Sequence, residues 1–350
     1  MVRSRSRTGD PNIDQQIEDL LDAAGATHDR DQLFEILRTV VRLSGDAADR
    51  LDLKITNAAL KEMRLAFNVF APYRDIPKVT MFGSARTLPD DPLYAQARAV
   101  AAELAGHGWM VVTGAGPGIM AAGMEGAGRD KSFGINIRLP FEQGASEFIA
   151  GDPKLVEMKY FFTRKLMLMK ESQGFIVLPG GFGTLDEAFE LLTLVQTGKA
   201  DPAPIVLLEV PGGTYWHAWE RFLLDEVETR GLVSPQDHFL YRITDDVAVA
   251  VNEVRSFHRN YHSRRFVGSR LIVRLRAAPT DDEIAALNEE FADIVNEGRI
   301  ERTETLPVEV ESDDLPELPR LMMRFDRSGH GRFRQFIDAL NNLASAPPLD

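Results

Sequence analysis

The sequence predicts an α/β protein: a parallel sheet with helices on both faces, a helical arm before it and a small α+β unit after it. Three observations predict this. Between Lys78 and about Tyr261, short apolar runs alternate with helical stretches, the pattern of a parallel sheet whose two faces are covered. Before that, apolar residues recur only at helical spacing, and after Arg264 the strand and helix signals become shorter and more mixed.

The elements follow in chain order. Residues 1–11 carry Arg3, Arg5 and Arg7 among Ser, Thr and Gly with no apolar run behind them, so they read as a frayed tail and not as a signal peptide. Residues 12–76 read as a helical extension. Leu33, Ile36, Leu37, Val40 and Val41, then Leu60, Met63, Phe67 and Phe70, keep helical spacing, and Gly25, Gly45 and Pro72 punctuate it. This arm is expected to pack on the main domain or on a partner subunit.

Residues 77–262 form the main domain. Expected strands are Val79–Phe82, Trp109–Thr113, Phe133–Ile137, Phe175–Leu178, Ile205–Leu208 and Leu240–Ile243, with helices over Leu93–Ala105, Tyr160–Lys170 and Leu185–Thr197. In the helix over 160–170, Phe161, Phe162, Leu166 and Met169 are expected to form the buried stripe, with Arg164 and Lys165 flanking it. Residues 263–350 read as a βαββα unit, with strands at Leu271–Leu275, Val308–Val310 and Leu321–Phe325 and helices at Asp281–Val295 and from about Gly331 to Leu343.

Bulk composition narrows the function. Hydrophobic residues make up 44% of the 350, enough for a real core. A net charge of −13 argues against a broad nucleic-acid surface, because phosphate backbones are bound by Lys and Arg. The chain has no cysteine, which excludes disulfides, thiol nucleophiles and zinc ribbons and fits a cytoplasmic location. No apolar run is long enough for a membrane helix, so a soluble protein is expected.

In an open parallel sheet, ligands belong at the carboxyl ends of the strands. Two such ends are rich in glycine. One carries Gly114-Ala115-Gly116-Pro117-Gly118-Ile119-Met120, the other Pro179-Gly180-Gly181-Phe182-Gly183-Thr184-Leu185-Asp186-Glu187. Glycine lets backbone N–H groups approach an anion closely, and a following helix N-terminus adds unpaired N–H groups and partial positive charge. Phosphate is the expected guest, and tight turns are the competing reading.

The commoner nucleotide signatures do not fit. The Gly114 loop follows the second strand, and Ile119 stands where a dinucleotide fingerprint needs its third glycine. Neither loop supplies the lysine of a P-loop. His258 and His262 stand at i, i+4 without the intervening glutamate of a zinc-protease helix, and they read as surface histidines. No metal site and no cofactor are expected. Thr184 and Glu187 also read as a capping box, with Glu187 reaching back to the helix start.

The nine residues from Pro179 to Glu187 resemble the PGGxGTxxE signature of the LOG (lonely guy) family of phosphoribohydrolases, also labelled lysine decarboxylase-like. Phe82-Gly83-Ser84-Ala85-Arg86, the Gly114–Met120 loop and Thr163-Arg164-Lys165 are similar in order and spacing from about Lys78 to Thr244. The resemblance implies a Rossmann-like domain that cleaves nucleoside 5′-monophosphates, including AMP and cytokinin ribotides, to free base and ribose 5-phosphate. It implies Arg164 and Glu187 as the catalytic pair. Ser84, Gly114, Gly116, Gly118 and Met120 are the expected substrate and phosphate contacts on one side of the site. Lys165, Gly180, Gly181, Gly183 and Thr184 are those on the other, with Arg86 a secondary candidate.

The resemblance further implies a homodimer or higher homo-oligomer with its active site near the interface, and a nucleotide as partner. A non-catalytic nucleotide or cofactor carrier, or a nucleotide sensor on the same fold, is the alternative. The helical extension and the last unit are not part of the minimal family form.

Overall fold

The structure is a computed structural model describing residues 8–138 and 146–349; residues 1–7 of the expected tail lie outside the described residues. The chain divides into two compact units, residues 1–61 and 62–350. The first contains α1 (Pro11–Ala23), α2 (Arg30–Arg42) and the start of α3 (Arg50–Phe70), which runs across the division. Asp10 caps α1 by accepting the Asn12 amide at 2.8 Å, and Ile17, Leu21 and Phe34 form a small core between α1 and α2.

The second unit opens with β1 (Lys78–Phe82), α4 (Pro92–Gly106), β2 (Met110–Thr113), α5 (Ile119–Ala127), β3 (Ser132–Ile137) and β4 (Leu155–Met158). It continues with α6 (Phe161–Lys170), β5 (Gly174–Val177), α7 (Phe182–Gln196), β6 (Ile205–Leu208), α8 (Tyr215–Phe222), β7 (Arg242–Thr244) and α9 (Val247–Ser256). Among the described residues these strands make a seven-stranded sheet in the order β4-β3-β2-β1-β5-β6-β7, with every neighbouring pair parallel. One face packs Phe82, Val112, Phe175 and Leu207 against α3, α6 and α7; the other packs Val79, Val111, Ile176 and Val206 against α4, α5 and α9. Burial on both faces is why these strands read as unbroken apolar runs. The fold is Rossmann-like α/β, as the sequence predicts. Strand β4, with only Val156 and Met158 fully buried, carries too short an apolar signal to stand out.

Helix α6 keeps Met169 buried, as expected, but turns the rest of the expected stripe outward. Its buried positions are Thr163, Arg164, Met167, Leu168 and Met169, while Phe161, Phe162 and Leu166 are about half exposed. The inward face is centred on the 164–168 row, and the arginine goes in with it.

The chain then forms β8 (Tyr261–Val267), β9 (Arg270–Leu275), α10 (Asp281–Glu290), β10 (Val295–Arg302), α11 (Pro307–Glu311), β11 (Arg320–Phe325) and α12 (His330–Asn342). The four strands make an antiparallel sheet in the order β10-β11-β9-β8, packed on α10 and α12 through Leu271, Val273, Phe325, Phe333 and Phe336. Two strands, β8 and β10, exceed the expected βαββα layout. Residues 308–310, expected as a strand from their valines, instead lie in α11: Pro307 starts the helix and Glu309 turns inward. The Glu309 carboxylate accepts from Arg274 and Arg320 at 2.6 and 2.8 Å and from the Leu306 amide at 3.2 Å. The tertiary ion pairs override β-propensity. The helix expected to reach Val295 stops at Glu290, because Val295 is drawn into β10 opposite Phe325.

Among the described residues no helix is long and apolar enough to cross a membrane. His258 and His262 do not share a helix: α9 ends at Ser256, and His262 lies in β8.

Candidate active site

The strand order reverses between β1 and β5, and the loops after these strands diverge to opposite sides and leave a crevice. The two loops are tied at their base, where the Ser84 amide donates to the Pro179 carbonyl at 3.3 Å. A cleft of about 740 Å³ opens there, enough for a nucleotide-sized ligand. Its walls are Gly83–Arg86 after β1, Gly114 and Met120 after β2, and Gly180–Leu185 after β5, with Phe161, Arg164 and Glu187 beside them.

The loop after β5 runs directly into α7. The first helical hydrogen bond is donated by Leu185 to Gly181, so the amides of Phe182, Gly183 and Thr184 have no acceptor within the helix. These amides face the start of the helix with its dipole behind them, an arrangement that favours negative charge. Thr184 is buried in the first turn, and a Cβ on Gly180 would lie 2.2 Å from its hydroxyl oxygen, so glycine is required for that close approach. Tyr215, at the start of α8, donates its hydroxyl to the Gly180 carbonyl at 2.7 Å and fixes the loop from behind. Buried Glu209 in turn accepts the Tyr215 amide at 3.0 Å.

Helix α7 starts at Phe182, with Gly181 as its cap, so Thr184 is already inside the helix and the expected capping box is not formed. Glu187 instead turns to Arg164. The Arg164 Nη1 donates to Glu187 Oε1 at 3.1 Å, and its Nε donates to the Ile135 carbonyl of β3 at 2.8 Å. Both side chains are nearly buried. Burial pushes the Glu187 carboxyl up to about 7, although the Arg164 cation opposes this and Asp186 adds to it. Burial likewise lowers Arg164, partly offset by Glu187. The pair therefore sits where small changes in surroundings switch the carboxylate at neutral pH.

Helix α6 is held in place from α3. Glu62 accepts the Lys159 amide at 2.9 Å and the Thr163 hydroxyl at 2.6 Å, which caps the N-terminus of the helix that carries Arg164. No local sequence signal marks Glu62, Tyr215 or Glu209: Glu62 lies 101 positions from Thr163 and Tyr215 lies 35 positions from Gly180.

The remaining expected residues divide. Ser84, Arg86, Gly114, Met120, Gly180, Gly181, Gly183 and Thr184 line the cleft with the Arg164–Glu187 pair. Gly116 lies behind Met120, and Gly118, at φ 67°, packs so that a Cβ would fall 2.3 Å from the Ser84 carbonyl oxygen. Its place is the close crossing of two loops. Lys165 points away from the cleft, pairing with Asp186 at 3.0 Å and Glu190 at 2.5 Å on the outside of α7.

A family model described as "Possible lysine decarboxylase" matches residues 117–254. A cytokinin riboside 5′-monophosphate phosphoribohydrolase of Mycobacterium tuberculosis is 32% identical over 158 residues, covering 43% of this chain and 80% of that protein. The Arabidopsis thaliana enzyme of the same description, LOG1, is 42% identical over 72 residues, 21% of this chain; the match spans only about a third (32%) of the plant protein's length. Among solved structures, the molybdenum cofactor carrier protein of Chlamydomonas reinhardtii is 22% identical, with 51% of this chain and 96% of that one covered and a TM-score of 0.36. With four-fifths of the mycobacterial protein covered at 32% identity, and the signature loop forming one wall of the cleft, the chain belongs to the LOG family.

Proposed function

We propose that the protein hydrolyses the N-glycosidic bond of nucleoside 5′-monophosphates, of the AMP or cytokinin ribotide type. The observation that carries this is the Arg164–Glu187 pair, buried in the same cleft as the unpaired amides of Phe182, Gly183 and Thr184. In this reading the 5′-phosphate binds those amides with help from Arg86, and the ribose lies over Glu187, about one turn further along α7.

As the C1′–N bond breaks, its electron pair leaves with the base and positive charge builds on the ribose. The Glu187 carboxylate stabilises that charge or takes the proton from the water whose oxygen adds to C1′, and the departing base gains a proton. Arg164 orients the carboxylate and keeps a fraction of it ionised at neutral pH. The products are free base and ribose 5-phosphate.

Phe161 and Phe182 leave an apolar rim at the cleft, with Phe182 95% exposed. We read this rim as the face a second copy of the chain covers, in a homo-oligomer whose active site lies beside the interface.

The test is incubation with a panel of nucleoside monophosphates and the matching nucleosides, with released base followed by chromatography. Release from the monophosphates, at least 100-fold slower from the nucleosides, is the expected result. Equal rates on both would remove the phosphate anchor. Tight nucleotide binding without release, in wild type and Glu187→Gln alike, would make the protein a carrier.

A further inference from the structure

A second cavity, of about 450 Å³, lies further along the two helices that carry the catalytic pair, toward their C-terminal ends. Helix α6 contributes Leu166 and Met169 to it, less than two turns past Arg164, and α7 contributes Leu191 and Leu194, about one and two turns past Glu187. The third wall is the loop after α7 together with Tyr261–Ser263 of β8. No residue of this cavity lines the nucleotide cleft.

The loop is gripped from the antiparallel sheet. Arg264 is buried and its Nη2 donates to the carbonyls of Gly198 at 3.3 Å and Ala200 at 2.9 Å, just beyond the C-terminus of α7. The cavity is therefore a joint between three parts: the Arg164 helix, the Glu187 helix and the C-terminal sheet. A molecule bound there touches all three.

The lining defines what would bind. Its floor is apolar, from Leu191, Leu194, Met169 and Phe175, and suits a hydrocarbon or aromatic body. Its polar groups are mostly donors. Lys199 is exposed and makes no ion pair among the described residues. The Lys170 ammonium is already paired with Glu171 at 2.6 Å, so Lys199 is the cation left for a ligand, and Ser172 and Ser263 add hydroxyls. The Tyr261 hydroxyl is buried with no hydrogen-bond partner, an unmet polar group of the kind a ligand or water satisfies. The one carboxylate in the lining, Asp201, already lies 3.6 Å from Arg264. His258 adds no charge: its Nε2 bonds the Gln173 carbonyl at 2.8 Å, and burial holds the ring neutral.

We propose that this cavity is an effector site for a small anion with an apolar or aromatic body, and that its occupancy shifts α6 and α7 and so alters nucleotide binding in the cleft. The binding step stands on the cavity alone. The coupling step rests on the nucleotide reading above, and its sign is reciprocal: whatever the effector does to nucleotide affinity, the nucleotide does to effector affinity.

The probe is 8-anilinonaphthalene-1-sulfonate, an anion with an aromatic body, titrated into the full chain with fluorescence as readout. One saturable class of sites is expected, weakened at least tenfold by Lys199→Glu, which reverses the free cation, and by Ala200→Trp, which fills the cavity. In Glu187→Gln, which holds AMP without turnover, saturating AMP should change dye affinity by threefold or more without displacing the dye. Wild-type dye affinity in both cavity variants overturns the site. Full displacement of the dye by AMP overturns it as well, by putting the dye in the nucleotide cleft. Unchanged dye affinity with AMP bound overturns the coupling. A wild-type chain that releases no base overturns the hydrolase reading alone, because dye affinity in the two cavity variants is read without turnover.

Discussion

The three glycines of the loop after β2 should respond to alanine in three different ways. At Gly114 an added Cβ would sit 1.9 Å from the Arg164 Nη2 and 2.7 Å from the Met120 sulfur. Ordinary contact begins at 3.4 Å, so the guanidinium has to retreat by about 1.5 Å (3.4 − 1.9). A shift of that size moves it off the position set by its bonds to Glu187 at 3.1 Å and to the Ile135 carbonyl at 2.8 Å. Misplacement of about 1 Å at a reacting centre costs roughly 100-fold, or ~2.7 kcal/mol of barrier. Gly114→Ala should therefore lower kcat/KM for base release by about 100-fold.

At Gly116 the nearest atom is the Met120 terminal methyl at 2.7 Å, the far end of a flexible side chain, so Gly116→Ala should cost no more than about threefold. At Gly118 the clash is with backbone, the Ser84 carbonyl at 2.3 Å, and φ is 67°. Left-handed backbone alone costs a non-glycine residue about 1–2 kcal/mol, so Gly118→Ala should lower Tm by more than either neighbour. The assay is steady-state base release from AMP beside thermal unfolding. Gly114→Ala within fivefold of wild type, or no more damaging than Gly116→Ala, would refute the idea that this glycine makes room for the arginine.

Three other outcomes follow from the geometry. Glu187 has its pKa raised to about 7 from 4.5, so the folded chain keeps a proton there that the unfolded chain has lost. Its contribution to stability is complete below about pH 4.5 and is lost as pH rises through about 7, so Glu187→Gln should flatten the decline of Tm across that window. Base release should rise over the same range as the carboxylate ionises, and Arg164→Met should move that limb to higher pH; a level rate profile from pH 5 to 9 would contradict this. Tyr215→Phe removes the hydroxyl on the Gly180 carbonyl, worth about 1 kcal/mol, and should raise KM about fivefold with kcat nearly unchanged. Glu309→Ala leaves Arg274 and Arg320 buried without their shared carboxylate, and chemical denaturation should register a loss of about 3–5 kcal/mol.

The sheet and the glycine loops were legible because their signals are local. Apolar runs buried on both faces mark β1, β2, β3, β5 and β6, and the Pro179–Glu187 signature sits within one loop and one helical turn. What stayed hidden depends on partners distant in sequence. The orientation of α6 cannot be read from Phe161, Phe162 and Leu166, because the residues that decide it are the Ile135 carbonyl, Glu62 and Glu187. Apolarity pointed the aromatic face inward; the charged side chain went in instead because it had acceptors waiting. The valines at 308 and 310 read as strand for the same reason, since nothing local announces that Glu309 will meet two arginines. Tyr215 and Glu209 support the Gly180 loop from a neighbouring crossover, where only the folded sheet brings them near.

The strand order has a consequence for synthesis. One edge of β1 is covered by β2, but its other edge pairs Val79 with Gly174, 95 positions later. At a translation rate of about 5–20 residues per second, that edge waits roughly 5–19 s for its neighbour to emerge. During this time the run Val79-Thr80-Met81-Phe82 presents unpaired backbone to other nascent chains, and the halves of the cleft have not yet met. Heavy expression should thus tax chaperones at this step, and slowing elongation past residue 174, rather than before it, should favour soluble yield.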